Sequence, residues 1–76
     1  MKVLTLVSAQ RGIRKISLTK LLQARLSLRL SVAKAAVDDL LEGRTVRLSV
    51  PDGVDANGLA QEIRQLRAAC EISDQP

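Results

Sequence analysis

The chain has 76 residues, the length of one small domain, and 46% of them are hydrophobic, which is enough apolar side chain for a single core. It contains no histidine, no aromatic residue and only one cysteine, and its formal net charge is +4. This composition excludes a histidine general base, a zinc site built on histidine or several thiolates, an internal disulfide, and the aromatic platforms that stack on single-stranded nucleic acid.

The first predicted element is a strand over residues 3–8, where β-favouring residues alternate with leucines. A turn follows at residues 10–12, and a helix is predicted to begin between Lys15 and Ser17. Its apolar stripe has the three- and four-residue spacing of a helix and is interrupted by Arg25. The leucines of this stripe are predicted to belong to the core: Leu18, Leu21, Leu22 and Leu26.

Residues 27–31 form a predicted tight connector in which Leu28 and Leu30 point inward, and Ser31 is the predicted N-cap of a second helix. Gly43 is the predicted C′ residue of that helix. Its buried face is predicted to comprise Ala33, Ala36, Val37, Leu40 and Leu41. The acids of its last turns are predicted to be solvated and not to bind a metal, because adjacent helical residues point about 100° apart: Asp38, Asp39 and Glu42.

A second strand is predicted over residues 45–50, with Val46, Leu48 and Val50 on one face, and a turn at residues 51–53 ends it. Asp55 is predicted to cap a third helix. The apolar spacing of that helix is predicted to reach Cys70, which is expected to be a small buried hydrophobe. A final strand is predicted over residues 69–73.

The predicted order is therefore β-α-α-β-α-β, in one domain over residues 1–73 with a frayed tail at residues 74–76. No apolar run approaches the roughly 20 residues that span a bilayer, and the apolar stretch near residue 1 is shorter than the roughly 7–15 residues of a signal peptide. We therefore expect a soluble, cytoplasmic protein. No constellation of residues supports catalysis, so we also expect a non-enzymatic protein without a metal or other cofactor.

The segment from Lys15 to Lys34 resembles the C-terminal domain of the bacterial large-subunit ribosomal stalk protein. Seven residues fall on the pattern of that family without a gap: Lys15, Ile16, Lys20, Leu28, Leu30, Ala33 and Lys34. Ser27 and Arg29 stand where the family has glycines, Val32 replaces its glutamate, and Gln23 replaces an arginine. The family's N-terminal dimerisation domain and hinge have no counterpart in this chain. The resemblance implies an α+β fold in which three helices pack on one face of a three-stranded antiparallel sheet.

In that family the first two helices recruit translational GTPases. The resemblance therefore implies a partner-binding surface that comprises Lys15, Ile16, Thr19, Lys20 and Lys34. Charge supports the same surface, because the first 37 residues contain eight cations and no acid, whereas the remaining 39 contain four arginines and eight acids. Arg25 and Arg29 add cations that the family pattern does not specify. The expected partner is another protein with an acidic surface, such as a translation factor.

Three other interpretations remain open. A small basic nucleic-acid-binding protein would use Arg14, Arg25, Arg29 and Lys34. A homodimer through the first two helices would bury their surplus apolar residues, which include Ile16 and Val32. A protease-delivery adaptor has a related fold, but such adaptors use acidic and histidine-containing pockets, and this chain has no histidine.

Overall fold

The computed structural model describes residues 2–74 and contains three strands and three helices in the predicted order. The elements are β1 (Lys2–Ala9), α1 (Lys15–Leu26), α2 (Leu30–Leu41), β2 (Val46–Val50), α3 (Ala56–Gln65) and β3 (Ala68–Asp74). The predicted α+β class is confirmed. β3 extends one residue into the predicted tail, and Gln75 and Pro76 lie outside the described residues.

The sheet is antiparallel, and β1 is its central strand, between β2 and β3. Leu4 lies opposite Leu48 on β2 and opposite Ile72 on β3. The register with β3 shifts between Leu6 and Ser8, as in a β-bulge. Because side chains alternate along a strand, this register places the buried strand residues on one face of the sheet.

The core lies between that face and the helices. Its fully buried large side chains come from five of the six elements: Leu4 and Leu6 of β1, Leu18 and Leu22 of α1, Val37 and Leu40 of α2, Val50 of β2, and Leu59 and Ile63 of α3. Most of the leucines predicted for the stripe of α1 are buried, and Leu21 is half-buried against the same core. The opposite sheet face carries Val3, Thr5 and Val7 of β1 among polar residues of the other two strands, and Val7 is 39% exposed, so the helices cover one face only.

Helices α1 and α2 form a hairpin with a connector of three residues, 27–29. Ser27 adopts the left-handed conformation, with φ 54° and ψ 36°, and ends α1. A connector this short makes two adjacent helices antiparallel. The hairpin therefore has a closed end, where α1 ends and α2 begins, and an open end, where α1 begins and α2 ends.

Helix α3 begins as predicted. The Asp55 carboxylate accepts a hydrogen bond from the Gly58 amide at 3.2 Å, which satisfies one of the free N–H groups of the first turn. Arg25 of α1 pairs with Glu62 of α3, and the Arg25 Nη2 to Glu62 Oε2 distance is 2.7 Å. This pair links the hairpin to α3.

The predicted end of α2 is confirmed, because Gly43 has φ +88° and its amide donates to the Leu40 carbonyl oxygen. Arg44 compensates the acids of the last turns, since its Nη1 lies 2.8 Å from Asp39 Oδ1 and 3.0 Å from Glu42 Oε2. These acids lie near the negative end of the helix dipole, where a cation is favourable.

Three predictions about α2 are wrong. The helix begins at Leu30, so Ser31 lies inside it, and the N-cap residue is Arg29. Leu30 is 59% exposed and does not point inward, because it is the first residue of α2 and lies at the edge of the buried face, about 60° from Ala33 and about 120° from Ala36. Leu41 is 42% exposed, since it is rotated about 100° from the buried Leu40.

Two predictions overlap at Cys70: the extension of α3 to this residue is wrong, and the final strand over residues 69–73, which contains it, is confirmed. Helix α3 ends at Gln65, a turn follows at residues 66–67, and Cys70 lies in β3 opposite Leu6. Its burial is as predicted. An apolar spacing of four residues cannot distinguish a continuing helix from a strand that returns to the same core.

None of the helices within residues 2–74 has both the length and the apolar character needed to cross a membrane.

Candidate interaction groove

A groove of about 460 Å³ lies between α1 and α2. We call it the hairpin groove and define it by its lining residues: Lys15, Ile16, Thr19, Lys20, Gln23, Leu30, Lys34, Val37 and Asp38. Its volume falls within the roughly 300–1,000 Å³ range of ligand sites in proteins. The groove therefore has room for a few side chains of another molecule.

The sequence of α1 places one face in the groove and another in the core. The groove-lining residues of α1 are spaced at three and four residues, and so they lie on one side of the helix. The buried leucines have the same spacing but a different phase. Thr19 is oriented along its own helix, because its hydroxyl donates to the Lys15 carbonyl oxygen at 2.9 Å.

Helix α2 contributes the floor and the second wall. Val37 is buried and forms the floor, whereas Leu30, Lys34 and Asp38 succeed one another at four-residue intervals along the wall. Leu30 and Asp38 are therefore about 12 Å apart along the helix axis. Ile16, which is 67% exposed, provides an apolar side chain on the α1 wall.

The groove contains three cations and one acid. Within residues 2–74, no ion pair shorter than 4.0 Å joins Lys15, Lys20 or Lys34 to an acid, and Asp38 has no such partner either. The ammonium groups are consequently not neutralised by carboxylates of the described part of the fold. A net positive groove with an apolar floor is complementary to an anionic ligand that also carries an apolar side chain.

The beginning of α1 adds to this positive potential. Arg14 is the N-cap residue and makes no side-chain capping hydrogen bond, and Lys15 is the first helical residue. The N-terminus of a helix carries a partial positive charge, so cations at this position oppose the stability of the helix. Lys15 therefore does not stabilise its own helix. A carboxylate of a partner would relieve the repulsion between Lys15 and the positive end of the helix dipole.

The structure places five of the seven sequence-predicted residues together in the hairpin groove: Lys15, Ile16, Thr19, Lys20 and Lys34. The other two lie elsewhere. Arg25 is engaged by Glu62, and Arg29 is the N-cap residue of α2 and does not line the groove. The predicted nucleic-acid surface, which needs both of these arginines, is therefore split between two environments.

Four lining residues were not predicted: Gln23, Leu30, Val37 and Asp38. The spacing of Leu30, Lys34 and Asp38 was the available signal, because residues four apart share a helix face. The signal was missed because Leu30 was interpreted as part of an inward-facing connector.

Cys70 is a titratable group in a perturbed environment. Burial raises the pKa of its thiol above the ordinary value of 9.0, the neighbouring Arg64 opposes this, and Glu71 adds to it. Its Sγ donates to the Ala60 carbonyl oxygen at 3.5 Å. A buried neutral thiol of this kind is a packing residue and not an activated nucleophile. In the described part of the chain, no cluster of three or more Cys, Asp or Glu residues has the geometry to hold a metal ion.

No protein-family model, curated protein or solved structure gives a match to this chain.

Proposed function

We propose that this protein is a non-enzymatic interaction module that docks an acidic partner protein through the hairpin groove. The observation that carries the proposal is the convergence of three lysines without acidic partners on a groove that has an apolar floor and an exposed apolar side chain in each wall. In such a complex, charge would set the rate and orientation of encounter, and a few apolar contacts would slow dissociation.

The positive charge of the groove also favours an acidic partner over a second copy of the same chain. A homodimer through this groove would bring two sets of Lys15, Lys20 and Lys34 together, with one Asp38 on each side to offset them. Like charges across an interface are unfavourable. The exposed Ile16 and Leu30 are therefore better matched by a partner whose apolar side chains are flanked by carboxylates.

The resemblance to the ribosomal stalk domain supports the same surface and makes a translational GTPase, or another ribosome-associated factor, the first natural partner to test. The residues that carry the resemblance and the residues that line the groove overlap at Lys15, Ile16, Lys20, Leu30 and Lys34.

The test uses a fluorescent helical peptide of about twelve residues, long enough to cover the roughly 12 Å between Leu30 and Asp38. The peptide carries glutamates around one leucine, and a second peptide carries glutamine in place of glutamate. Binding is measured by anisotropy, and the contacted residues are mapped from amide shifts of the ¹⁵N-labelled protein. We expect the acidic peptide to bind at the groove and the glutamine peptide to bind at least about tenfold more weakly, since several exposed ion pairs are lost together.

The decisive variant combines Lys15→Glu, Lys20→Glu and Lys34→Glu. Its matched control reverses three exposed cations outside the groove, Arg11, Arg47 and Arg67, and so has the same net charge. The groove variant should lose about tenfold or more in affinity, whereas the control should change by less than about threefold. Equal losses of affinity in the two variants would show that binding depends only on net charge, and would refute the proposal. Tighter, steeply salt-dependent binding of a DNA duplex would favour the nucleic-acid alternative instead.

A further inference from the structure

The charges of the hairpin groove are not evenly distributed along its length. The closed end of the hairpin has Gln23 and Leu30, which are uncharged. Lys20 and Lys34 occupy the middle. The open end has Lys15 from the first residue of α1 and Asp38 from the last part of α2. The groove is therefore uncharged at one end, doubly cationic in the middle, and balanced at the other end.

We infer that Asp38 restricts the groove to a short acidic stretch, with carboxylates at the middle, an apolar side chain at the closed end, and an uncharged group at the open end. This inference rests on the proposed function and specifies the chemistry of the partner segment. A partner carboxylate at the open end would be attracted by the Lys15 ammonium group but repelled by the unpaired Asp38 carboxylate. A repulsive group at one position of an attractive site is a common way to obtain specificity.

Charge complementarity makes this occupant more specific than a generally acidic protein. A continuous run of acids in a partner would gain affinity at the middle of the groove but no further affinity at its open end. An acidic stretch of about one helical turn, next to an apolar residue, would use every favourable position and avoid the unfavourable one.

The test compares two peptide probes that share a leucine at one end and a central pair of glutamates. The first, the central-acid probe, ends in glutamines. The second, the extended-acid probe, ends in glutamates. A nitroxide at the leucine end should broaden the amide resonances of Gln23 and Leu30, which establishes the orientation of the bound peptide.

For the wild-type protein, we expect the extended-acid probe to bind no more tightly than the central-acid probe, despite its additional carboxylates. Asp38→Asn should strengthen the extended-acid probe about threefold to fivefold, which is the size of one exposed charge interaction, and should leave the central-acid probe within about twofold. Asp52→Asn removes an acid outside the groove and serves as the matched control, for which neither affinity should change.

Each other outcome overturns the inference. If Asp38→Asn strengthens both probes equally, or neither, Asp38 does not select the length of the acidic stretch, and the proposed function survives without this inference. If the leucine end broadens resonances at the open end, the orientation is wrong. If neither probe binds the wild-type protein, the proposed function fails, and the inference fails with it.

Discussion

The connector that closes the hairpin groove offers a sharp test of the fold, because Ser27 lies in the left-handed region with φ 54°. This conformation costs a residue with a Cβ roughly 1–2 kcal/mol, whereas glycine adopts it freely. Ser27→Gly should therefore relieve strain in the native state.

The gain is partly offset in the unfolded state, where the extra freedom of glycine costs about 0.5–1 kcal/mol on folding. We expect Ser27→Gly to stabilise the domain by about 0.5–1 kcal/mol. In a domain of this size, 1 kcal/mol shifts the Tm by about 4–8 °C, so the expected increase is about 2–8 °C. Thermal and urea unfolding followed by circular dichroism would measure it.

The matched control is Ser17→Gly, the same substitution in the first turns of α1, where the backbone is ordinary right-handed helix. It should destabilise the protein by about 0.5 kcal/mol, the difference in helix propensity. Ser27→Ala should give no gain, because alanine retains the Cβ. If Ser27→Gly destabilises as Ser17→Gly does, the left-handed conformation of Ser27 does not exist in solution, and the geometry of the connector is wrong.

Four further results are expected. Leu22→Ala should cost about 2–5 kcal/mol in urea unfolding because Leu22 is fully buried, whereas Leu41→Ala should cost less than about 1 kcal/mol; similar losses would contradict the exposure of Leu41. Asp55→Ala should cost about 1 kcal/mol through loss of the N-cap. Since a Cβ at Gly58 would lie 2.6 Å from Asp55 Oδ2, Gly58→Ala should be more stabilising in the Asp55→Ala background than in the wild type, and identical effects in a double-mutant cycle would argue against this contact. Finally, burial raises the pKa of the Cys70 thiol, so the unfolded chain loses the thiol proton first as the pH rises through 9.0. The free energy of unfolding of the wild type should therefore fall more steeply above that pH than that of Cys70→Val. Parallel curves would show that the thiol does not contribute.

Local signals in the sequence were sufficient for much of the fold. The alternation of β1, the cap at Asp55 and the positive φ at Gly43 follow from short-range chemistry, and all three are found in the structure. Positions that depend on tertiary context were less predictable. The segment around Leu30 satisfied both an alternating and a helical pattern, and only packing decided between them.

The candidate site shows the same division. Lys15, Lys20 and Lys34 could be grouped from the sequence, because the family resemblance implied a shared surface and the first 37 residues contain no acid. The engagement of Arg25 could not be predicted, since its partner Glu62 is 37 residues away in the chain. Asp38 was predicted only to be solvated, although its four-residue spacing from Lys34 was a signal that the two residues share a helix face.

The central position of β1 has a consequence for how the protein matures. β1 is synthesised first among the six elements, yet it forms five residue pairs with β2 and seven with β3, the element synthesised last. Until β3 leaves the ribosome, one edge of β1 is unpaired and the inner side chains Leu4 and Leu6 lack part of their cover. Helices α1 and α2, which carry the lysines, therefore pack on a complete sheet only after β3 has paired with β1. A nascent or C-terminally shortened chain should consequently not form the hairpin groove.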